Sequence, residues 1–181
     1  MASVSPLRFA TEYSQTRRKM LEANGGSLES KKMRHQVQVE VVSPRLIAAV
    51  RREVAAGRVG DVWRPALDQV WAFLRTQPGL RTDGHNIFVY HHGDPMQADF
   101  GVEVTREFEP SGDVRPARTP GGEAVVVNHV GSYDGLADAH GAIHAWAKES
   151  DRTFAGTSWE IYGDWNEDPA KMETLVMYLL R

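Results

Sequence analysis

The feature that most constrains this chain is an internal repeat. Asp94-Pro95 recurs as Asp168-Pro169, and the same shift of about 74 residues lays Ile87 on Ile161, Phe88 on Tyr162 and Val102 on Val176, with Trp71 falling within one residue of Trp146. A single matched dipeptide is weak, but the order of elements around it also repeats. At 181 residues the chain has the size of one domain, so the two copies are expected to build one structure rather than two independent ones.

Periodicity supplies the elements. In the first copy VQVEVV alternates from Val37, and Ser43-Pro44 leads into LIAAV, both read as strand. Val62, Trp63, Ala66, Leu67, Val70, Phe73 and Leu74 then recur at three and four, a helix with Pro65 expected in its first turn and Pro78-Gly79 as its stop. Asn86–Tyr90 and Phe100–Thr105 are two further strands around the Gly93-Asp94-Pro95 turn. In the second copy EAVVVNHV precedes Gly131-Ser132-Tyr133-Asp134, and a helix follows with Leu136, Ala139, Ile143 and Trp146 on one side. Strands at 158–163 and 173–180 close the chain. The expectation is an α+β fold of two pseudo-symmetric strand-helix-strand-strand repeats, about 37–106 and 113–180. Their antiparallel sheet would carry helices on one face and a central ligand cleft on the other. Residues 1–35 are basic and polar, are interrupted by Asn24-Gly25-Gly26, and read as an N-terminal arm with at most one short helix. Residues 36–181 then form the domain.

Charge and composition narrow the function. A net charge of −3 gives no polybasic field for a phosphate backbone, and the arm is too short for a helix-turn-helix, so no direct nucleic-acid binding is expected. No apolar run reaches membrane-spanning length, and no membrane partner is expected. Without cysteine, thiolate metal sites, thiol catalysis and disulfides are excluded. The N-terminus lacks the apolar centre of a secretory signal, which predicts a cytoplasmic protein.

Strand alternation suggests a site. On the last-but-one strand Trp159 and Ile161 face one side, expected to meet a helix, while Glu160 and Tyr162 face the other. In the first copy Asn86, Phe88 and Tyr90 share the corresponding outward face, so aromatic residues of both copies converge beside one carboxylate. Tyr133, at the mouth of the second helix, is either a packed core tyrosine or a proton-bearing ligand contact. Trp63 and Trp165, at element ends, are candidates for the rim, whereas Trp71 and Trp146 read as packing residues. Other constellations read as structural: His140 and His144 as solvent-facing histidines rather than a metal pair, His91 and His92 on opposite faces of a strand, and Ser132 as a helix cap rather than a nucleophile. No metal or cofactor is expected.

The segments VQVEVVSPRLIAAV, YHHGDPMQADFGVEV, HVGSYDGL and WEIYGDWNEDP, with the apolar last strand, carry a resemblance. In this order the chain from about Val37 to Leu180 resembles the GyrI-like small-molecule-binding superfamily. That superfamily is related to the ligand domains of AraC-type and multidrug-sensing MerR-type regulators and to free-standing gyrase inhibitory proteins. The resemblance implies two pseudo-symmetric repeats and a cleft for hydrophobic, aromatic or cationic ligands, with a glutamate at the position of Glu160. Some free-standing relatives resemble hydrolases that open strained cyclopropane rings. Two departures stand out: Thr174 is followed by Leu175 where the family often has Thr-Glu, and the DNA-binding domain of the regulators is missing.

Three functions remain open. One is capture of a flat, hydrophobic aromatic compound of the drug or antibiotic class with hydrolytic detoxification. There Glu160, made more basic by burial among rings, acts as general base and Tyr133 or Tyr162 steadies an oxyanion. The second is non-catalytic sequestration or sensing, with Glu160 as counterion to a cation stacked on aromatic faces. The third is a protein-interaction role directed at gyrase.

Overall fold

The computed structural model describes residues 35–55 and 57–181, so the expected arm lies, apart from His35, outside the described residues. Eight strands and two helices follow in the order β1 (Val37–Val42), β2 (Leu46–Val54), α1 (Val59–Arg75), β3 (Arg81–His91), β4 (Met96–Val104), β5 (Val114–Arg118), β6 (Gly122–Val130), α2 (Leu136–Glu149), β7 (Phe154–Tyr162) and β8 (Glu173–Leu180). Short 3-10 turns at Tyr133–Gly135 and Pro169–Lys171 precede α2 and β8. The fold is α+β, with all strands in one antiparallel sheet of order β1-β6-β8-β7-β3-β4-β2-β5.

This order reads as two halves related by a pseudo-two-fold between β3 and β7. Ile87 faces Gly101 across β3 and β4, Ile161 faces Leu175 across β7 and β8, and Ile87 faces Ile161 where the halves meet. The shift of 74 thus survives in the register, and the two Asp-Pro pairs occupy the equivalent β3–β4 and β7–β8 connections. Each half also lends a strand to the other. β1 leads the first half but pairs with β6, and β5 leads the second half but pairs with β2. The sequence reading missed β5, whose VRPAR pattern carries Pro116 between arginines. At a sheet edge such a proline is tolerated.

Both helices lie on one face. Ala66, Leu67, Val70 and Leu74 of α1 pack on Ala48, Val50, Phe88, Tyr90, Phe100 and Val102, while Ala139 and Ile143 of α2 pack on Val125, Val127, Val176 and Tyr178. Full burial of each Leu or Val in such a stripe contributes about 1.5 to 3 kcal/mol. The face expected for the cleft is corrected here. Phe88 and Tyr90 sit among the helix contacts, whereas Trp159 and Ile161 join Ile47, Ile87, Val89, Val126 and Met177 in a separate core on the helix-free face. Because both faces of the central strands are apolar enough to bury, alternation fixes which residues share a face without fixing which face the helices take. Pro65 is corrected too: α1 begins at Val59, so the proline lies in the second turn, exposed, and withholds one ladder bond.

Gly101 shows how tightly β4 meets β2. A Cβ there would lie 2.8 Å from the Ala48 carbonyl oxygen and 3.0 Å from the Ala49 Cβ, both held by the sheet. Gly101→Ala should lower stability by about 1 to 3 kcal/mol through overpacking in urea unfolding. Gly141→Ala, with nothing within 4 Å of its added Cβ on exposed α2, should raise stability by about 0.5 to 1 kcal/mol.

Candidate functional site

Register lays three rungs across the helix-side face. Asn86, Tyr162, Thr174 and His129 form one; Phe100, Phe88, Glu160 and Val176 form the next; Ala98, Tyr90, Ser158 and Tyr178 form the third. Glu160 is therefore central in the sheet, next to the seam between the halves, and only 6% exposed. Phe88 touches Phe100 and Tyr162 at 4.9 Å between ring centroids, Tyr133 meets Tyr162 at 5.5 Å, and Trp63 of α1 reaches Phe88 at 6.0 Å. Edge-on contacts dominate, which joins ring edges to neighbouring π faces.

A carboxylate in this setting needs donors in place of water. Tyr90 and Tyr162 donate their hydroxyls to its Oε2 at 2.8 and 2.5 Å, and His140 of α2 donates its Nε2–H to Oε1 at 2.9 Å. Burial pushes the Glu160 carboxyl up, but the bonds from His140, Tyr162 and Tyr90, with the His140 charge, outweigh it and hold the group below the ordinary glutamate range. The expectation that burial makes Glu160 a stronger base is thus reversed: the folded site stabilises the anion. The phenols move the other way, since burial and the Glu160 charge push Tyr90 and Tyr162 well above the usual tyrosine range. They remain neutral donors at physiological pH.

The network continues beyond Glu160. His140 Nδ1 lies 2.9 Å from the Tyr178 hydroxyl, and across the sheet from Tyr178, Ser158 Oγ lies 2.7 Å from Nε2 of His92, exposed just past the end of β3. With Nε2–H given to Glu160, Nδ1 accepts from Tyr178 as imidazole and donates to it as imidazolium. Burial, then the neighbouring His144, His140 and His91, hold His92 below the ordinary imidazole range.

Of the sequence candidates, Phe88, Tyr90, Tyr133, Tyr162 and Trp63 are brought together around Glu160. Asn86 flanks Tyr162 in its rung, and its buried Oδ1 has no hydrogen-bond partner among the described residues; Thr174 Oγ1, on the other side of Tyr162, shares that condition. Trp165 lies in the β7–β8 connection, 45% exposed. His140 was misread as solvent-facing: it borders the Leu136, Ala139 and Ile143 stripe and points into the cluster. Its place beside that stripe was the available signal, and the alternation of β8 was the one for Tyr178. His144 is exposed, its ring against Phe154 and Tyr178. Ser132 occupies the cap position without a side-chain capping bond; its carbonyl instead accepts from His129 Nε2 at 2.9 Å. His91 and His92 do point to opposite faces: His91 bonds Asp99, which also takes two bonds from Arg51 at 2.7 Å. No helix among the described residues is long and apolar enough to cross a membrane.

Comparison with known proteins agrees with this fold. The family model described as a GyrI-like small molecule binding domain matches residues 35–179. The crystal structure of the EcmrR C-terminal domain superposes with a TM-score of 0.68 at 21% identity, covering 82% of this chain and 99% of that one. In the EcmrR–DNA complex the chain spans only 64% of the regulator. SAV2435 bound to tetraphenylphosphonium is similar at a TM-score of 0.61 and 12% identity, covering 81% of this chain and 94% of that one. A structure described as a hydrolase, encoded by lin2189 from Listeria innocua, gives 0.58 and 12%, covering 92% and 98%. At these identities the structural likenesses establish the fold. No curated protein sequence matches significantly.

The ionised state of Glu160 has a measurable consequence. A carboxyl depressed in the folded state contributes stability above its unfolded pKa and loses it as pH falls through the folded one. Glu160→Gln should be less stable than the wild type by about 1 to 3 kcal/mol at neutral pH, as for loss of a charge-assisted bond. Urea unfolding at decreasing pH should show that gap closing below the ordinary carboxylate range; a constant gap contradicts the assignment.

Proposed function

The chain belongs to the GyrI-like family of small-molecule-binding domains, and from that premise we propose that it captures a lipophilic aromatic cation beside Glu160 and releases it unchanged. The observation that carries this reading is a buried carboxylate held ionised by phenols and one imidazole, with no lysine or arginine among its hydrogen-bond partners in the described residues. Such an anion, surrounded by π systems, favours a cation that sheds its water easily; contact with an aromatic face adds about 0.5 to 2 kcal/mol. SAV2435, a protein of the same fold, was observed with tetraphenylphosphonium, a cation of this class.

The same bonds count against hydrolysis. A general base needs a free lone pair and an affinity for the proton near the working pH. Glu160 has three donors on its roughly four lone-pair sites and is held as a weak base, so its setting supports binding better than activation of water. The hydrolase description belongs to the Listeria protein, and the DNA of the EcmrR complex to that regulator.

Calorimetric titration of the full chain with tetraphenylphosphonium tests the proposal. Glu160→Gln should weaken the cation by about 10- to 100-fold, the scale of a lost charge-assisted contact, and leave the neutral triphenylphosphine oxide nearly unaffected. Mass analysis after denaturation should recover the ligand intact. Equal affinity for the cation in both proteins, or a ligand of altered mass, would overturn this function.

A further inference from the structure

Resting on the reading of Glu160 as counterion, we propose that cation capture is proton-coupled: the incoming cation replaces the charge of protonated His140 beside Glu160 and expels its proton. His140 is the group in the cluster able to supply a full positive charge, because the other two donors to Glu160 are phenols. Its Nε2 stands 2.9 Å from Oε1 while Nδ1 is engaged by Tyr178, so both rings, imidazole and imidazolium, fit the same heavy-atom geometry. As imidazolium, His140 neutralises Glu160 and repels a second cation. As imidazole, it keeps its bond to Oε1 and leaves the site with a net negative charge.

Cation and proton therefore compete, and linkage makes the competition reciprocal. Among the described residues, the titratable groups around His140 are Glu160 from β7 and Tyr178 from β8, which touch it, with Tyr90 of β3 and Tyr162 of β7 on the same carboxylate, His92 just past β3 and His144 of α2 against Tyr178. Of these, the Tyr90 and Tyr162 phenols stay uncharged.

The proton leaves from Nδ1: imidazolium Nδ1–H donates to the Tyr178 oxygen, and once that proton has passed to solvent, which reaches the 27% exposed His140 side chain, Tyr178 donates to Nδ1, so the bond is kept with its direction reversed. A neutral aromatic ligand displaces no charge and gains nothing from this exchange.

The test is calorimetry of tetraphenylphosphonium with the full chain, at several values between about pH 5 and 8 and in two buffers of different ionisation enthalpy. The wild type should release up to one proton per cation, and its affinity should rise with pH by up to about tenfold per unit within that range. His140→Gln, which retains a donor toward Oε1, should bind the cation with little pH dependence and no proton release. A wild type with flat affinity and no released proton, or an unchanged pH slope in His140→Gln, would overturn the proposal. Failure of the counterion reading is separately visible as equal cation affinity in Glu160→Gln and wild type at the alkaline end. Nitrogen-15 shifts of the His140 ring give the same answer without a substitution: adding the cation at acidic pH should convert imidazolium to imidazole, and a ring that stays protonated overturns the coupling.

Discussion

The organisation of the helix-side face depends on solvating one carboxylate without water. Moving an ionised glutamate into an apolar interior costs several kcal/mol unless hydrogen bonds replace its hydration. Here the replacements come from both halves of the molecule: Tyr90 from the first, Tyr162 from the same strand as Glu160, and His140 from the helix above. The donors hold their positions because the sheet register and the α2 packing fix them. Losing either half would leave the anion short of partners, so the charge binds the site to the completed fold.

The topology supports that arrangement. Exchange of β1 and β5 between halves gives each half a strand that belongs in sequence to the other, and the β3–β7 seam brings Phe88 directly across from Glu160. Two separate helix-side cores stabilise the halves individually, while a third core on the opposite face spans them. The aromatic cluster thus stands on a sheet held from both sides, which favours preorganised rings over rings that must be ordered by a ligand.

Much of this was legible in the residues. The repeat, the two helices and the strands flanking the Asp-Pro turns followed from spacing, and alternation correctly grouped Phe88, Tyr90, Glu160 and Tyr162. The side on which the helices would lie was not legible, because Trp159 and Ile161 are as capable of forming a core as the face that carries Glu160. β5 escaped because Pro116 and two arginines obscure a short edge strand. His140 escaped for a different reason: a histidine bordering an apolar stripe fits solvent and interior equally, and the decision rests on Glu160, twenty residues away in sequence and on another element. For the same reason the basicity of Glu160 could not be inferred from its apolar neighbours, since burial and hydrogen bonding act in opposite directions and only the structure counts the donors.

The central claim is that Glu160 is a buried anion stabilised by its donors. Carbon-13 NMR of the labelled glutamate side chains, followed from neutral to acidic pH in the folded protein, tests it directly. Glu160 should keep its ionised carboxyl shift after the exposed glutamates have protonated near about pH 4.3. A Glu160 resonance that protonates with them, or at higher pH, would contradict the account.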